Sequence, residues 1–427
     1  MIKITWNSDD LLESRWPYRS QSNEDNINHV SSIINEVKKR GDEALVDFAK
    51  KYDDVVLTVD ELEVTRGEIL DAYKLVPVEQ VEALKVASKR LILIEQKRMR
   101  RLSFKTSIEG VKITCGVRAL RRVGCYVPGG QAAYPSTVIM NVIPAKVAGV
   151  KEVFITTPTR RNGLIPPLTL VAADISGVDR IFRIGGAHAI AALAYGTKSI
   201  PRVDKVVGPG NKYVTAAKAV VSRDVAIDMQ AGPTEITIIA DDSADPRFVA
   251  LDLVSQAEHG PGGLCVLVTD SEKLAHNVQS FLNYYVPTIP RSAEVSNVLQ
   301  LGGFALIVKD MEAAGSFVDD FAPEHVEIQT RDPESLADKV TSSGLVLLGS
   351  YTPASSTDYC MGVNHVLPTG GYGKIRGGIT VLDYLKPVNI VYATKAGLEQ
   401  VSRTVQVISE AEGLPNHGAA VKARFFK

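Results

Sequence analysis

The sequence has 427 residues, of which 45% are hydrophobic and 23% are charged, and its formal net charge is -1. These values are typical of a globular protein of roughly two to four domains, and they favour neither DNA binding nor binding to an anionic membrane surface. No apolar run approaches the roughly 20 residues of a membrane helix, and the N-terminus lacks the apolar core of a signal peptide. The four cysteines form no CxxC pair, so we expect reduced thiols and a cytoplasmic protein.

Apolar residues recur at three- and four-residue spacing over residues 24–105, which predicts a helical N-terminal region. The stretch GVKITCGVRALRRVGCYVPGG follows and predicts short strands that run into a turn. Strand-like segments such as KEVFITTPT, VDRIFRIGG and VDKVVGPGN then alternate with helical ones. This alternation predicts parallel strands joined by crossover helices.

The second half of the chain repeats the alternation. TEITIIADD, GLCVLVTD, FALIVKD, HVEIQT and SGLVLLGS are strand-like, and helical segments separate them. We therefore predict an α/β fold with two Rossmann-like layers of parallel sheet, together with N-terminal helices and a C-terminal arm. The tail from about residue 386 shows no obvious sheet partner, and a terminal arm of this kind often packs on a second subunit.

Three strands of the first layer end in glycine-rich turns, YVPGG (126–130), IGGA (184–187) and VGPGN (207–211). Glycine lets a ligand approach the backbone closely, and the helix that follows offers its N-terminus to an anion such as a pyrophosphate. The dinucleotide fingerprint GxGxxG is not met, because Tyr213 occupies its last place. Three such turns in one layer still favour a nucleotide-type site over ligand-free βα turns.

The segment DPRFVALDLVSQAEHG predicts an amphipathic helix with a polar C-terminal end. Gln256 and His259 are three residues apart and therefore share one face of this helix. The spacing suits two metal ligands, but two ligands do not make a site. Asp358 and His417 are plausible further ligands, although sequence spacing alone does not bring them together.

The segment FAPEHVEI places Glu324 and His325 side by side at the start of a predicted strand. A carboxylate next to an imidazole suits proton transfer, because the surroundings can tune the pKa values of both groups toward neutrality. A loop acid beside a hydrogen-bonded structural histidine is the alternative interpretation of this segment alone.

Together these segments resemble the histidinol dehydrogenase family. The matching motifs are YVPGG, GGAHAIAALAYGT, VVGPGNKYV, DMQAGPTEITIIADDSADP, LVSQAEHG, APEHVEI, NHVLPTGG and EGLPNH, in one order between residues 116 and 420. The resemblance implies an enzyme that oxidises L-histidinol through an aldehyde to L-histidine, the last step of histidine biosynthesis. The implied cofactors are one Zn²⁺ per subunit and NAD.

The resemblance also implies roles for matching positions in this sequence. His325 would take the hydroxyl proton, and Glu324 would activate the water that attacks the aldehyde. Tyr126, His188 and Asn211 match the positions that contact NAD. The implied zinc ligands are Gln256, His259, Asp358 and His417.

Thr234, His365 and Glu412 match the family's substrate-contact positions, and the Glu412 carboxylate suits an imidazole or ammonium group. Because Glu412 and His417 lie on the C-terminal arm, the resemblance implies a homodimer whose subunits share active sites. The full implied substrate-binding set is Thr234, Gln256, His259, His325, Asp358, His365, Glu412 and His417.

The sequence departs from the family's pattern at three places. His188 stands where Gln is usual, Thr234 replaces a common Ser, and KIRGG (374–378) replaces a small serine-bearing segment. These departures leave open a family member that oxidises another alcohol, such as a sulfonated or hydroxylated diol, and no role is predicted for Arg376. The glycine turns disfavour a zinc hydrolase that uses no nicotinamide. The complete set of candidate ligands disfavours a non-catalytic binding protein.

The pattern and the resemblance together predict domain boundaries. An N-terminal segment covers residues 1–25. The first α/β domain joins 26–125 to 234–380 and carries the zinc ligands and catalytic residues. The second α/β domain, 126–233, carries the NAD loops, and the C-terminal arm, 381–427, packs on the partner subunit. We expect a small-molecule substrate and neither a nucleic-acid nor a membrane partner.

Overall fold

The structure, a computed structural model, describes four stretches of the chain: residues 2–6, 24–129, 133–160 and 162–426. The last residue of the first predicted glycine turn, Gly130, and most of the predicted segment 1–25 lie outside the described residues. In the described stretches, no helix combines the length and the apolar character needed to cross a lipid bilayer.

The N-terminal part of the chain is helical, as the sequence predicts. It opens with a short strand and ends with two strands of an antiparallel sheet. Its elements are β1 (Lys3–Trp6), α1 (Glu24–Arg40), α2 (Asp42–Phe48), α3 (Arg66–Leu75), α4 (Val78–Met99), β2 (Phe104–Ile108) and β3 (Val111–Ala119).

The next part forms the first parallel sheet, with strand order β6-β5-β4-β7-β8, and the predicted strands in it are confirmed. Helices connect its strands, which is what the β–α alternation requires. Its elements are β4 (Arg122–Tyr126), α5 (Pro135–Ala148), β5 (Glu152–Thr156), α6 (Pro167–Ser176), β6 (Arg180–Phe182), α7 (Gly186–Tyr195), β7 (Lys205–Val207), α8 (Lys212–Val221) and β8 (Ala226–Ile227).

The second half forms the second parallel sheet, with strand order β1-β11-β10-β9-β12-β13, and its five predicted strands are confirmed. Apart from β1, which adds at one edge, the order repeats that of the first parallel sheet. Its elements are β9 (Glu235–Ala240), α9 (Pro246–Ala257), β10 (Leu264–Thr269), α10 (Glu272–Tyr285), α11 (Ser292–Gly302), β11 (Gly303–Ile307), α12 (Met311–Phe321), β12 (His325–Gln329), α13 (Pro333–Ala337) and β13 (Leu345–Leu348).

The tail does have a sheet partner within its own chain, so the expectation that it lacks one is wrong. Its strand pairs antiparallel with β3, which pairs in turn with β2. The pairing joins residues more than 260 positions apart, and no local pattern reports such a contact. The helix α14 (Ala354–Tyr359) precedes the tail, whose elements are β14 (Leu385–Ala393), α15 (Lys395–Ala411) and α16 (Pro415–Lys422).

The N-terminal helices bury their apolar side chains against the first parallel sheet. Val30 of α1 and Leu45 of α2 share one core with Ile190 of α7. Leu91 of α4 shares a second core with Ile143 of α5. The helices therefore complete the hydrophobic cores on both faces of this sheet.

This packing differs from the predicted grouping of residues 26–125 with 234–380. The predicted boundary at residue 125 also falls inside β4, which is a central strand of the first parallel sheet. Because a domain is defined by its own core, we propose that residues 24–229 and 366–384 belong to one unit and that 235–354 form most of the other.

A buried ion pair holds the glycine loop after β7. The Lys218 ammonium pairs with the Asp228 carboxylate, and both side chains are almost wholly buried. Lys218 Nζ donates to the Gly208 carbonyl at 2.8 Å, and Gly208 N donates to Asp228 Oδ2 at 2.7 Å. Gly208 has a φ of 110°, and a Cβ there would overlap the carbonyl oxygen of Tyr126. Only glycine fits at this turn.

The structure gives a place to Arg376, for which the sequence predicts no role. Its guanidinium donates to the Asp228 carbonyl and to Asp383 Oδ1, the latter at 2.8 Å. Lys205 Nζ donates to the carbonyl of the same Asp383 at 2.7 Å. Arg376 thus ties the 374–378 segment to the loop region of the first parallel sheet.

The first prediction concerns this buried pair. In Lys218→Met the Asp228 carboxylate stays buried without its cation, so we expect the free energy of unfolding to fall by about 3–5 kcal/mol. Urea denaturation measures this change. The control is Lys85→Met, which removes a solvent-exposed ion pair with Glu82 and should leave the midpoint almost unchanged. Equal losses in the two variants would contradict the assignment.

Candidate active site

A cavity of about 960 Å³ lies between the two parallel sheets. Gly210 and Asn211, which follow β7, line one wall, while Glu235 at the start of β9 and His259 after α9 line the other. The carboxyl edge of the first parallel sheet therefore faces the amino edge of the second. The cavity brings a predicted NAD contact and a predicted zinc ligand to the same space.

A chain of hydrogen bonds holds Glu324 at the amino edge of the second parallel sheet. Glu324 Oε2 accepts from Thr234 Oγ1 at 2.5 Å and from Glu235 N at 2.9 Å. Gln256 Nε2 donates to the same Thr234 oxygen. The hydroxyl can accept from the amide and donate to the carboxylate at once. The chain thus joins α9 to the strand that carries Glu324.

Burial raises the pKa of Glu324 to about 8, and the negative charge of Asp358 acts in the same direction. The hydrogen bonds from Thr234 and Glu235 oppose this shift because they stabilise the carboxylate. A carboxyl group with a pKa near neutrality can both release and take up a proton in the working range of an enzyme.

The orientation of His325 leaves one ring nitrogen able to accept a proton. Its Nδ1 lies 3.3 Å from the carbonyl oxygen of Glu235, and a carbonyl only accepts, so this bond places the hydrogen on Nδ1. Its Nε2 is buried, has no hydrogen-bond partner among the described residues, and lies 3.9 Å from Asp358 Oδ1. Burial lowers the pKa of His325, which favours the neutral imidazole.

Two of the predicted zinc ligands, His259 and Asp358, interact electrostatically. Burial lowers the pKa of His259, the Asp358 carboxylate opposes this effect, and His325 adds to it. The lowered pKa favours the neutral imidazole, which is the form that binds metal ions. Gln256 is buried near the end of α9, and His259 lies in the turn that follows this helix. The three residues provide the nitrogen and oxygen donors that a zinc site uses.

His365 belongs to the same cluster. Its Nδ1 lies 2.7 Å from the carbonyl oxygen of Asp358, and its Nε2 lies 3.4 Å from Thr137 Oγ1. Burial lowers the pKa of His365, while the nearby Asp358 charge raises it. The predicted substrate position at residue 365 therefore lies beside a predicted metal ligand.

Glu412 and His417 are not brought to this cluster. Both side chains are exposed, and α16, which carries His417, packs on α15 through Gly418 and Ser409. Within the four described stretches, no three His, Cys, Asp or Glu side chains come together in an arrangement that could hold a metal ion. A single chain thus presents three of the four predicted ligands near the cavity and leaves the fourth apart.

Two of the three predicted NAD contacts lie at the carboxyl edge of the first parallel sheet. Tyr126 ends β4, is buried, and accepts a hydrogen bond from Gly186 N at 3.2 Å, while burial raises its pKa to about 12. Asn211 caps α8 by accepting from Tyr213 N at 3.0 Å and lines the cavity. Strands β4 and β7 flank the point where the strand order reverses, which is where α/β sheets bind ligands.

The third predicted NAD contact, His188, lies in an aromatic cluster. Its ring centroid is 5.6 Å from that of Phe48 and 6.4 Å from that of Tyr52. Burial lowers its pKa to about 4, and its Nε2 has no hydrogen-bond partner among the described residues. A role for His188 in binding NAD stays a prediction.

Glu235 is a residue of the site that the sequence reasoning missed. Its backbone N–H holds Glu324 and its carbonyl holds His325, while its own carboxylate accepts from Gly370 N at 3.2 Å. The available signal was its place next to Thr234 at the start of a strand. That signal is weak, because Glu235 contacts Glu324 and His325 through its backbone N–H and carbonyl. The side-chain type at this position therefore does not reveal these contacts.

Comparison with known proteins identifies the family of this chain. The family model for histidinol dehydrogenase matches residues 17–425. The histidinol dehydrogenase of Methanocaldococcus jannaschii is 43% identical over 397 residues, covering 92% of this chain and 91% of that protein. That of Aquifex aeolicus is 41% identical over 395 residues, covering 92% and 91%. The crystal structure of histidinol dehydrogenase from Elizabethkingia anophelis superposes with a TM-score of 0.94 at 34% identity, covering 99% of this chain and 98% of that one. With a family match across nearly its whole length, the chain belongs to the histidinol dehydrogenase family.

Proposed function

We propose that this protein oxidises L-histidinol to L-histidine through an aldehyde, with NAD as the oxidant and zinc as a bound metal. The observation that carries the proposal is the shared cavity. It is lined by Gly210 and Asn211 of the loop after β7 and by Glu235 and His259 on the side of the second parallel sheet, and Glu235 contacts Glu324 and His325. A hydride acceptor and a proton acceptor must meet at one carbon in an alcohol dehydrogenase, and this cavity offers room for both.

The zinc ion would be held by four residues, namely Gln256, His259, Asp358 and His417. The fit rests on the donor set, which combines two imidazoles, a carboxylate and an amide, and on the lowered pKa of His259. When bound, zinc supplies a positive charge that orients the nitrogen and oxygen atoms of the substrate. Gln256 already has its amide N–H engaged by Thr234, which leaves its carbonyl oxygen as the atom to face a metal.

The residues that would contact NAD are Tyr126, Asn211 and His188. When bound, NAD accepts a hydride from the substrate carbon. The loop at Gly208 would also contact the cofactor, since it lies next to Tyr126. Hydrogen bonds to Lys218 and Asp228 hold the backbone of this loop in place. A pre-organised loop loses less conformational entropy when a ligand binds.

His325 would accept the proton of the substrate hydroxyl at Nε2. That nitrogen carries the lone pair, because the carbonyl of Glu235 engages Nδ1–H. Glu324 would take a proton from the water that attacks the aldehyde between the two oxidations. Its carboxylate is oriented by Thr234, so Thr234 would support both the substrate and the general base.

His365 and Glu412 would complete the substrate site. The neutral His365 imidazole lies beside Asp358, while the Glu412 carboxylate would pair with the cationic end of L-histidinol. Another alcohol is the alternative substrate. The departure at 374–378 gives little support to this alternative substrate. The charge of Arg376 is already used within the protein, where its guanidinium donates to Asp383 and to the Asp228 carbonyl.

The exposed position of His417 and Glu412 supports a homodimer with shared active sites. The C-terminal arm would carry both residues from one subunit into the site of its partner. The arm exposes a set of large apolar side chains, as interface surfaces do. Among them are Ile390, Val391, Tyr392, Val407, Ile408 and Leu414.

The second prediction tests the reaction. Incubation with NAD and L-histidinol should give two NADH per substrate, followed by absorbance at 340 nm. Chelation should abolish the activity, and added zinc should restore it, because the bound metal orients the substrate. Turnover of another alcohol with no response to L-histidinol would contradict the proposed substrate.

The third prediction separates the two oxidations. Glu324→Gln cannot take a proton from water, so aldehyde oxidation should fall about 10²–10⁴-fold and the yield should approach one NADH per L-histidinol. In the wild-type protein the carboxyl must lose its proton to act, so aldehyde oxidation should rise as the pH passes about 8. The control is Glu258→Gln, which changes an exposed carboxylate next to His259 in the sequence. It should keep both the NADH yield and the pH profile. Two NADH from Glu324→Gln would rule out this role.

The fourth prediction tests the shared site. His417→Ala should lose zinc binding and activity, whereas His276→Ala, at another exposed helical histidine, should keep both. Mixing inactive His417→Ala and Glu324→Ala chains should restore about a quarter of wild-type activity, because half of the dimers gain one intact site. No recovery after verified subunit exchange would indicate that each site is built from one chain.

A further inference from the structure

Two polar stripes face each other beneath the candidate active site. On α9, Asp252 and Gln256 are four residues apart and both are buried. On β12, His325, Glu327 and Gln329 alternate along one face and are also buried. Only His325 and Gln256 at the upper end belong to the chemistry proposed above. The lower end, Asp252, Glu327 and Gln329, is called the carboxyl cluster below.

The amide of Gln329 bridges the two carboxyl groups. Its Nε2 donates to Asp252 Oδ2 at 2.9 Å and to Glu327 Oε2 at 2.9 Å, so each amide hydrogen has one acceptor. The other oxygen of Glu327, Oε1, accepts from Ala354 N at 2.6 Å. Ala354 is the first residue of α14. The carboxyl cluster therefore joins three elements, namely α9, β12 and α14.

Asp252 and Glu327 accept hydrogen bonds from the same amide nitrogen, so their two carboxyl groups lie close together and affect each other's protonation. Burial raises the pKa of Asp252, and burial together with the Asp252 charge raises the pKa of Glu327. A shared proton removes one of two negative charges that would otherwise repel each other in a buried site. The pair of carboxyl groups then carries one negative charge instead of two.

Each joined element carries a candidate metal or acid–base residue. One turn beyond Asp252, α9 carries Gln256, and His259 lies in the turn just after the helix ends. The strand β12 begins with His325, and α14 carries Asp358 four residues after Ala354. Movement of α14 relative to α9 would change the separation of His259 and Asp358.

We propose that the carboxyl cluster consists of positioning residues that lock α14 against α9 and β12, and so hold Asp358 at the separation from His259 that zinc binding needs. This inference rests on the proposed zinc site. Outer partners of metal ligands typically contribute about 10–100-fold to metal affinity. The carboxyl cluster acts through the helix that carries a ligand and touches neither substrate nor cofactor.

Glu327→Ala tests the proposal. It removes the acceptor for Ala354 N and one carboxyl of the pair, so the zinc Kd should rise about 10–100-fold in competition with a chromogenic chelator. Absorption of the Co²⁺-substituted protein should change as well, because the ligand geometry changes. Glu327→Gln should restore both readouts, since its amide keeps an acceptor for Ala354 N and offers Asp252 an N–H without a shared proton.

Glu95→Ala is the matched control. Glu95 is also buried, and its Oε2 accepts a hydrogen bond at 2.7 Å from Val381 N, the first residue of a short helix. It lies on α4, in the unit built around the first parallel sheet. Glu95→Ala should lower the urea midpoint as Glu327→Ala does, but it should leave the zinc Kd and the Co²⁺ spectrum unchanged.

The outcomes separate the two levels of the argument. Wild-type zinc affinity in folded Glu327→Ala, or an equal loss in Glu95→Ala, overturns the positioning role and leaves the proposed reaction standing. A wild-type protein that binds no zinc overturns the proposed metal site and this inference with it. If Glu327→Ala does not fold, Asp252→Ala undergoes the same measurements. It should weaken zinc binding because Glu327 then loses its partner, and unchanged affinity overturns the proposal.

Discussion

The parallel pairing of β9 with β12 is the constraint on which the candidate active site depends. Its register sets His325 opposite Ile236, so that the residues just before each strand meet at the amino edge. Glu324 then bonds Thr234 and Glu235 N, and His325 bonds the Glu235 carbonyl. These bonds cross about 90 residues of sequence. Two of these bonds use backbone atoms of Glu235, which side-chain mutation does not remove, and the third uses the hydroxyl of Thr234.

The two parallel sheets use their edges differently. In the first, the predicted NAD contacts Tyr126 and Asn211 lie at the carboxyl ends of β4 and β7, as open α/β sheets lead one to expect. In the second, which has the same strand order, Glu324 and His325 lie at the amino ends. Residues at both of these opposite edges, Asn211 of the first sheet and Glu235 of the second, line one cavity.

Much of the fold was predictable from local pattern. Strands β5–β7 and β9–β13 were predicted because each is a short apolar run bounded by turn residues and followed or preceded by a helix. Strands β1 and β14 were not, since each is paired only through contacts hundreds of residues away. The packing of the N-terminal helices on the first parallel sheet also differs from the predicted grouping of residues 26–125 with 234–380. An amphipathic helix shows which face it buries and not the surface that covers it.

The sequence by itself determined the residue types of the site, most of the helix that carries Gln256, and the family, because motifs and helical periodicity are local properties. Only the tertiary structure decided that Glu324, His325 and His365 meet beside Asp358 and that His417 stays apart. It also decided that Asp252 and Glu327 share a buried pocket, which neither segment signals alone. The physical reason is that burial and hydrogen-bond partners, which set protonation and orientation, arise from contacts between segments distant along the chain.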